Sequence, residues 1–226
     1  MTLTPFECVA SHHVLKGDVN ADVCDTLVMH GAGQSSRARF VKLRQALLAR
    51  GVASAAFDFI GHGETGGQMS ASSLTCREAQ AQSVIKALNI SPKRLIGSSM
   101  SGYTAIKLTE QLQVEQLVLL VPGVYTPRAY RVNFGPAFSN IIRRENSWYD
   151  SDAFDVLAQF TGEVVIVAAD NDHVIPRLLV ERLYEAACQA KRRVIKVIPN
   201  ATHLNLYPTQ ADFEQVLDLI KPSLKE

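Results

Sequence analysis

The chain has few cysteines and none in pairs: Cys8, Cys24, Cys76 and Cys188 are widely scattered, with no CxxC. A chain of 226 residues can bury a core without disulfide staples, so these are expected as reduced thiols in a cytoplasmic protein. Long apolar runs are missing too. The longest, Leu117 to Val121, stops at Pro122 and is too short to span a bilayer. The start, Met1-Thr2-Leu3-Thr4-Pro5-Phe6-Glu7, lacks the basic and then apolar order of a signal peptide. An excess of charge is absent: 23 Lys+Arg face 22 Asp+Glu, which leaves a formal net charge of +1 and no electrostatic case for nucleic acid. Arg143-Arg144 and Lys191-Arg192-Arg193 read as solvated faces. No Gly-Lys-Ser/Thr occurs, and Gly31-Ala32-Gly33 is not followed by the further glycine of a dinucleotide fingerprint. The cysteines and six histidines show no metal-ligand spacing, so neither metal nor cofactor is expected.

What is present is a steady alternation. Apolar runs at Leu27–Met29, Val52–Phe59, Arg94–Ile96, Gln116–Val121, Val164–Ala169 and Val194–Ile198 read as strands. Between them lie helical patterns: Phe40, Leu43, Leu47 and Leu48, ended by Gly51; Ala81, Val84, Ile85 and Leu88, with a capping box expected at Thr75 and Glu78; Ala105, Ile106 and Leu108; and Leu178, Leu179, Leu183 and Tyr184. Phe213, Val216, Leu217 and Ile220 mark a closing helix. Strands apolar on both faces and alternating with helices predict an α/β fold, a mostly parallel sheet with helices on both faces. Such sheets bind ligands beyond the carboxyl ends of their strands. We expect one domain over 1–226. Residues 123–162 break the rhythm; they hold Tyr125, Tyr130, Phe134, Phe138, Trp148, Tyr149 and Phe154 and no clear strand. This segment reads as a short lid insertion over the site, or else as a structural excursion.

Gly97-Ser98-Ser99-Met100-Ser101-Gly102 falls between a strand and a helix. A nucleophile on such a turn is pushed out above the sheet, and its neighbours must be small. Ser98, Ser99 and Ser101 are all candidates, but only Ser99 stands two residues after Gly97, at the apex. The G-x-S-x-G pattern is met except at its last position, where Ser101 replaces glycine.

His30-Gly31-Ala32-Gly33, the run Asp58-Phe59-Ile60-Gly61-His62-Gly63-Glu64-Thr65 and the turn at Ser99 together resemble the α/β-hydrolase superfamily, nearly throughout the chain. They are most similar to its serine esterase and monoacylglycerol-lipase-like members. The resemblance implies a triad in the chain order serine, acid, histidine. His203 fits the histidine, in the loop after the last strand where the family carries it. His12, His13, His30, His62 and His173 fit less well. Asp172 fits the acid because it precedes Val174-Ile175-Pro176 by the family's spacing; it is preferred to Asp170. By the same resemblance the backbone amides of Ala32 and Met100 form an oxyanion hole, with Gly31 and Gly33 admitting the substrate closely. Asp58 and the Gly61–Glu64 turn are read as structural.

The expected activity is that of a carboxylesterase/lipase-like serine hydrolase (EC 3.1), cleaving a small-molecule carboxylic ester through an acyl-enzyme. An acyl thioesterase is the alternative within the same chemistry. A non-catalytic ligand-binding protein on the same scaffold is the alternative of another class. The sequence does not fix the oligomeric state.

Overall fold

A computed structural model describes residues 3–10 and 12–220. Met1 and Thr2 of the N-terminal stretch lie outside the described residues, as do residues 221–226 of the expected domain. Eight strands form one sheet: β1 (Thr4–Ala10), β2 (His13–Val19), β3 (Thr26–Met29), β4 (Ser54–Phe57), β5 (Arg94–Ser98), β6 (Gln116–Leu120), β7 (Glu163–Ala169) and β8 (Arg192–Ile198). Their order is β1-β2-β4-β3-β5-β6-β7-β8. From β4 to β8 every pairing is parallel, whereas β2 runs antiparallel to both β1 and β4.

The apolar strands are two-sided, as expected for a covered parallel sheet. Leu27 and Met29 of β3 face one core and Val28 the other; Leu117 and Leu119 of β6 oppose Val118 and Leu120 in the same way. One face is covered by α1 (Val41–Ala49) and α7 (Gln210–Leu219), through Leu43, Leu47, Phe213 and Val216. The other is covered by α2 (Leu74–Ala87), α3 (Ser101–Leu108) and α6 (Arg177–Ala186). Among the described residues, no helix is long and apolar enough to cross a membrane.

Three findings depart from the sequence reading. First, the β1–β2 hairpin extends the sheet ahead of Leu27, where no element was expected. Second, the strand expected over Val52–Phe59 is only Ser54–Phe57. Third, the expected capping box at Thr75 and Glu78 does not form. Ser73 caps α2 instead, its hydroxyl accepting from the Cys76 amide at 3.2 Å. Thr75 Oγ1 donates to the Tyr130 carbonyl at 2.9 Å, and Glu78 accepts from the Tyr130 hydroxyl at 2.8 Å. Both partners of the expected box are therefore drawn into tertiary contacts.

Residues 123–162 hold two short helices, α4 (Pro136–Ile142) and α5 (Ala153–Gln159). Phe134, Phe138 and Trp148 are buried in the same core as α2 and α3. The segment is pinned to the body by polar bonds: Tyr130 to Glu78, Phe134 N–H to the Ser72 carbonyl at 2.9 Å, and Tyr103 Oη to Asp152 at 2.7 Å.

Candidate active site

Ser99 stands between β5 and α3 with φ of +51°, a left-handed conformation rare outside glycine. Such a conformation persists only where the surroundings enforce it. Here the Ser99 amide donates to the Leu120 carbonyl at 2.9 Å, and its carbonyl accepts from Gly102 at 2.8 Å and Gly123 at 2.9 Å. The turn also requires a missing side chain: a Cβ on Gly97 would lie 2.2 Å from the Ser101 carbonyl oxygen.

The three predicted side chains meet in one hydrogen-bonded chain. His203 Nε2 lies 2.9 Å from Ser99 Oγ, and His203 Nδ1 lies 2.9 Å from Asp172 Oδ2. With the proton on Nδ1, facing the carboxylate, Nε2 is left to accept from the serine hydroxyl. Asp172 itself is fixed, since its Oδ1 accepts from the amides of Val174 at 2.8 Å and Ile175 at 2.9 Å. Burial pushes its pKa up, but the bonds from His203 and these two amides outweigh burial and hold it below the ordinary carboxylate value. Asp170, the rejected alternative, is exposed.

The loop after β3 runs against the nucleophile. A Cβ on Gly31 would sit 3.0 Å from Ser99 Cβ and 3.6 Å from Ser99 Oγ. His30, fully buried, governs this loop: its Nδ1 donates to the Gly31 carbonyl at 2.7 Å, and its Nε2 accepts from the Phe59 amide at 3.1 Å. Burial, with Arg77 and His62 nearby, pushes its pKa well down, so this imidazole is neutral. Ala32 follows directly in this loop. Met100 is buried at the start of α3, where helix amides lack intrahelical partners.

Asp58 is consumed structurally. It pairs with Arg37 and accepts from the Glu64 amide at 3.0 Å, and a Cβ on Gly63 would lie 2.2 Å from Asp58 Oδ2. His62 is buried, with Nδ1 3.2 Å from the Ile60 carbonyl. One residue at the site escaped the sequence reading, Arg77, wholly buried on α2; Ser101, weighed there as a nucleophile and as a departure from the motif, accepts from Arg77 instead. The motif's missing glycine was the signal for Ser101; Arg77 gave none.

A cleft of about 310 Å³ opens beside His203, walled by Phe40, Val121, Leu206, Tyr207 and Phe213, with Arg39 and Lys42 also lining it. A larger groove, about 680 Å³, lies at the opposite ends of the strands, around Lys93, Glu115 and Thr161. The smaller one adjoins the hydrogen-bonded chain at His203, and a further cavity of about 110 Å³ adjoins it at Asp172.

Comparison with known proteins agrees with this fold. A profile described as "Alpha/beta hydrolase family" matches residues 27–161. An uncharacterized protein of Mycobacterium tuberculosis (strain H37Rv) is 28% identical over 203 residues, covering 88% of this chain and 69% of the relative. Est1E from Butyrivibrio proteoclasticus with ferulic acid bound superposes with a TM-score of 0.70 at 19% identity, over 95% of both chains. A monoacylglycerol lipase from Paleococcus ferrophilus gives 0.69 at 18% identity, over 97% of this chain and 98% of its own. At these identities the two solved structures speak for the fold.

Proposed function

The chain belongs to the alpha/beta hydrolase family, and we propose that within it this protein is a serine hydrolase cleaving a carboxylic ester through an acyl-enzyme. The reading is carried by the unbroken chain from Asp172 through His203 to Ser99, with both links at 2.9 Å. A serine hydroxyl is a weak nucleophile until a positioned base takes its proton, and His203 Nε2 is within reach to do so. In this scheme Ser99 Oγ attacks the ester carbonyl carbon as its proton passes to Nε2. Asp172 keeps the imidazole in the required tautomer and offsets the charge of the imidazolium. The amides of Ala32 and Met100 bind the oxyanion of the tetrahedral intermediate. Collapse of the intermediate breaks the C–O bond, and the imidazolium protonates the departing alcohol. Water then attacks the acyl-enzyme, with the same imidazole as base.

Residues 123–162 act as a cover on this reading, supported by their aromatic core and their polar bonds to α2 and α3. The test is hydrolysis of short p-nitrophenyl esters. Wild type should turn them over, and Ser99→Ala should abolish turnover while circular dichroism and thermal melting stay unchanged. Undiminished activity in that variant would sink the assignment.

A further inference from the structure

Arg77 is a cation with no exposed surface and, among the described residues, no carboxylate partner. Burying a charge without a counter-charge is strongly unfavourable unless hydrogen bonds compensate. Its hydrogen bonds all fall at one place. Nη2 donates to the His30 carbonyl at 2.6 Å and to Ser101 Oγ at 2.9 Å, and lies 3.4 Å from the Gly31 carbonyl. Ser101 Oγ in turn donates to the same His30 carbonyl at 2.6 Å. The guanidinium rests on the ring of Phe59, 3.6 Å from its centroid, while Nε and Nη1 find no acceptor among the described residues.

This small triangle joins three elements: α2, the loop after β3 and the first turn of α3. The loop carries Ala32, and Ser101 follows Met100 directly. The Gly31 carbonyl and the Ala32 amide are the two ends of one peptide plane; His30 Nδ1 holds that carbonyl at 2.7 Å and Arg77 Nη2 meets it at 3.4 Å, while Arg77 and Ser101 together hold the preceding His30 carbonyl and so anchor the loop from which the Ala32 N–H projects. Ser101 also acquires a purpose. Glycine at that position has no hydroxyl to tie the nucleophile's helix to the facing loop.

We propose that Arg77 and Ser101 are positioning residues that set the separation and direction of the Ala32 and Met100 amides, and so the strength of oxyanion binding. The inference rests on the ester-hydrolase reading given above. It requires that their loss be felt in the transition state and not in substrate binding.

The experiment compares wild type with Ser101→Ala, Ser101→Gly, Arg77→Lys and Arg77→Met. Two quantities are read: kcat and KM on a short p-nitrophenyl ester, and the inhibition constant of a matching trifluoromethyl ketone, whose carbonyl becomes an alkoxide on addition of the serine. Removing a whole oxyanion donor costs about 10²–10³-fold in rate. Displacing one should cost roughly ten-fold in the Ser101 variants and up to about 10²-fold in Arg77→Met, with KM nearly constant. Arg77→Lys should recover part of the loss. Ketone affinity should fall in proportion to kcat across the set. If the Arg77 variants do not fold, the Ser101 pair decides. Folded variants with kcat within about two-fold of wild type, or a fall in kcat without weaker ketone binding, overturn the inference alone. A wild type that neither turns over esters nor binds the ketone overturns the ester-hydrolase reading and the inference with it.

Discussion

Glu78→Gln should make stability less dependent on pH, and the structure gives the size of the effect. Glu78 is 5% exposed; its Oε2 accepts from the Tyr130 hydroxyl, and its Oε1 has no partner among the described residues. Burial raises its pKa from 4.5 to about 7, against the opposing pull of Tyr130 and Lys107; Asp152 and Glu110 raise it further. Below the unfolded value the carboxyl is neutral in both states, and folding carries no penalty. As pH rises between the two values the unfolded chain releases a proton that the native protein retains, so stability falls. Above about 7 both states are ionised and the loss levels off. At about 1.4 kcal/mol per pH unit, the gap corresponds to ~3 kcal/mol. Glutamine keeps an acceptor for Tyr130 and does not ionise. Urea unfolding at about pH 5, 6.5 and 8 measures the difference between variant and wild type. That difference should grow in the variant's favour with pH and approach ~3 kcal/mol at the top of the range. Parallel curves for the two proteins would refute the reasoning.

Two further outcomes are expected at the site. Asp172→Asn retains an oxygen for the Val174 and Ile175 amides but presents an NH₂ group to His203. The imidazole must then carry its proton on Nε2, facing Ser99, and kcat should fall about 10³–10⁴-fold with KM little changed; a steady-state loss below ten-fold would contradict the role of Asp172. Gly97→Ala places a Cβ 2.2 Å from the Ser101 carbonyl and 2.9 Å from Ala105 Cβ, so the nucleophile turn must shift. A loss of roughly 2–3 kcal/mol in urea unfolding, together with lower ester turnover, is the expected result.

The parts of the molecule legible in the sequence are those whose signal is local. Strands β3 to β7 are apolar on both faces and stand out as runs, and the helices between them carry their own period. The β1–β2 hairpin escaped because it lies at the sheet's edge: β1 interleaves Pro5, Glu7 and an exposed Val9 with buried Cys8 and Ala10, and no run emerges. The contact of Ser99, Asp172 and His203 was expected on two grounds: the α/β-hydrolase resemblance singled out the acid and the histidine, and a parallel sheet gathers the strand ends that all three follow. Arg77 was not readable. An arginine on an amphipathic helix looks like a solvated residue, and only the packing of α2 against Phe59 and the β3 loop buries it. Glu78 and Thr75 misled for a related reason, since local capping lost to bonds with Tyr130, more than fifty residues away in sequence.

The central claim is that Ser99 is the nucleophile, and covalent labelling tests it most directly. Folded protein treated with a fluorophosphonate should gain one adduct per chain by intact mass. Peptide mapping should place the adduct on Ser99, and Ser99→Ala should gain none. An adduct on another residue, or a folded wild-type protein that takes up no label, would contradict the account.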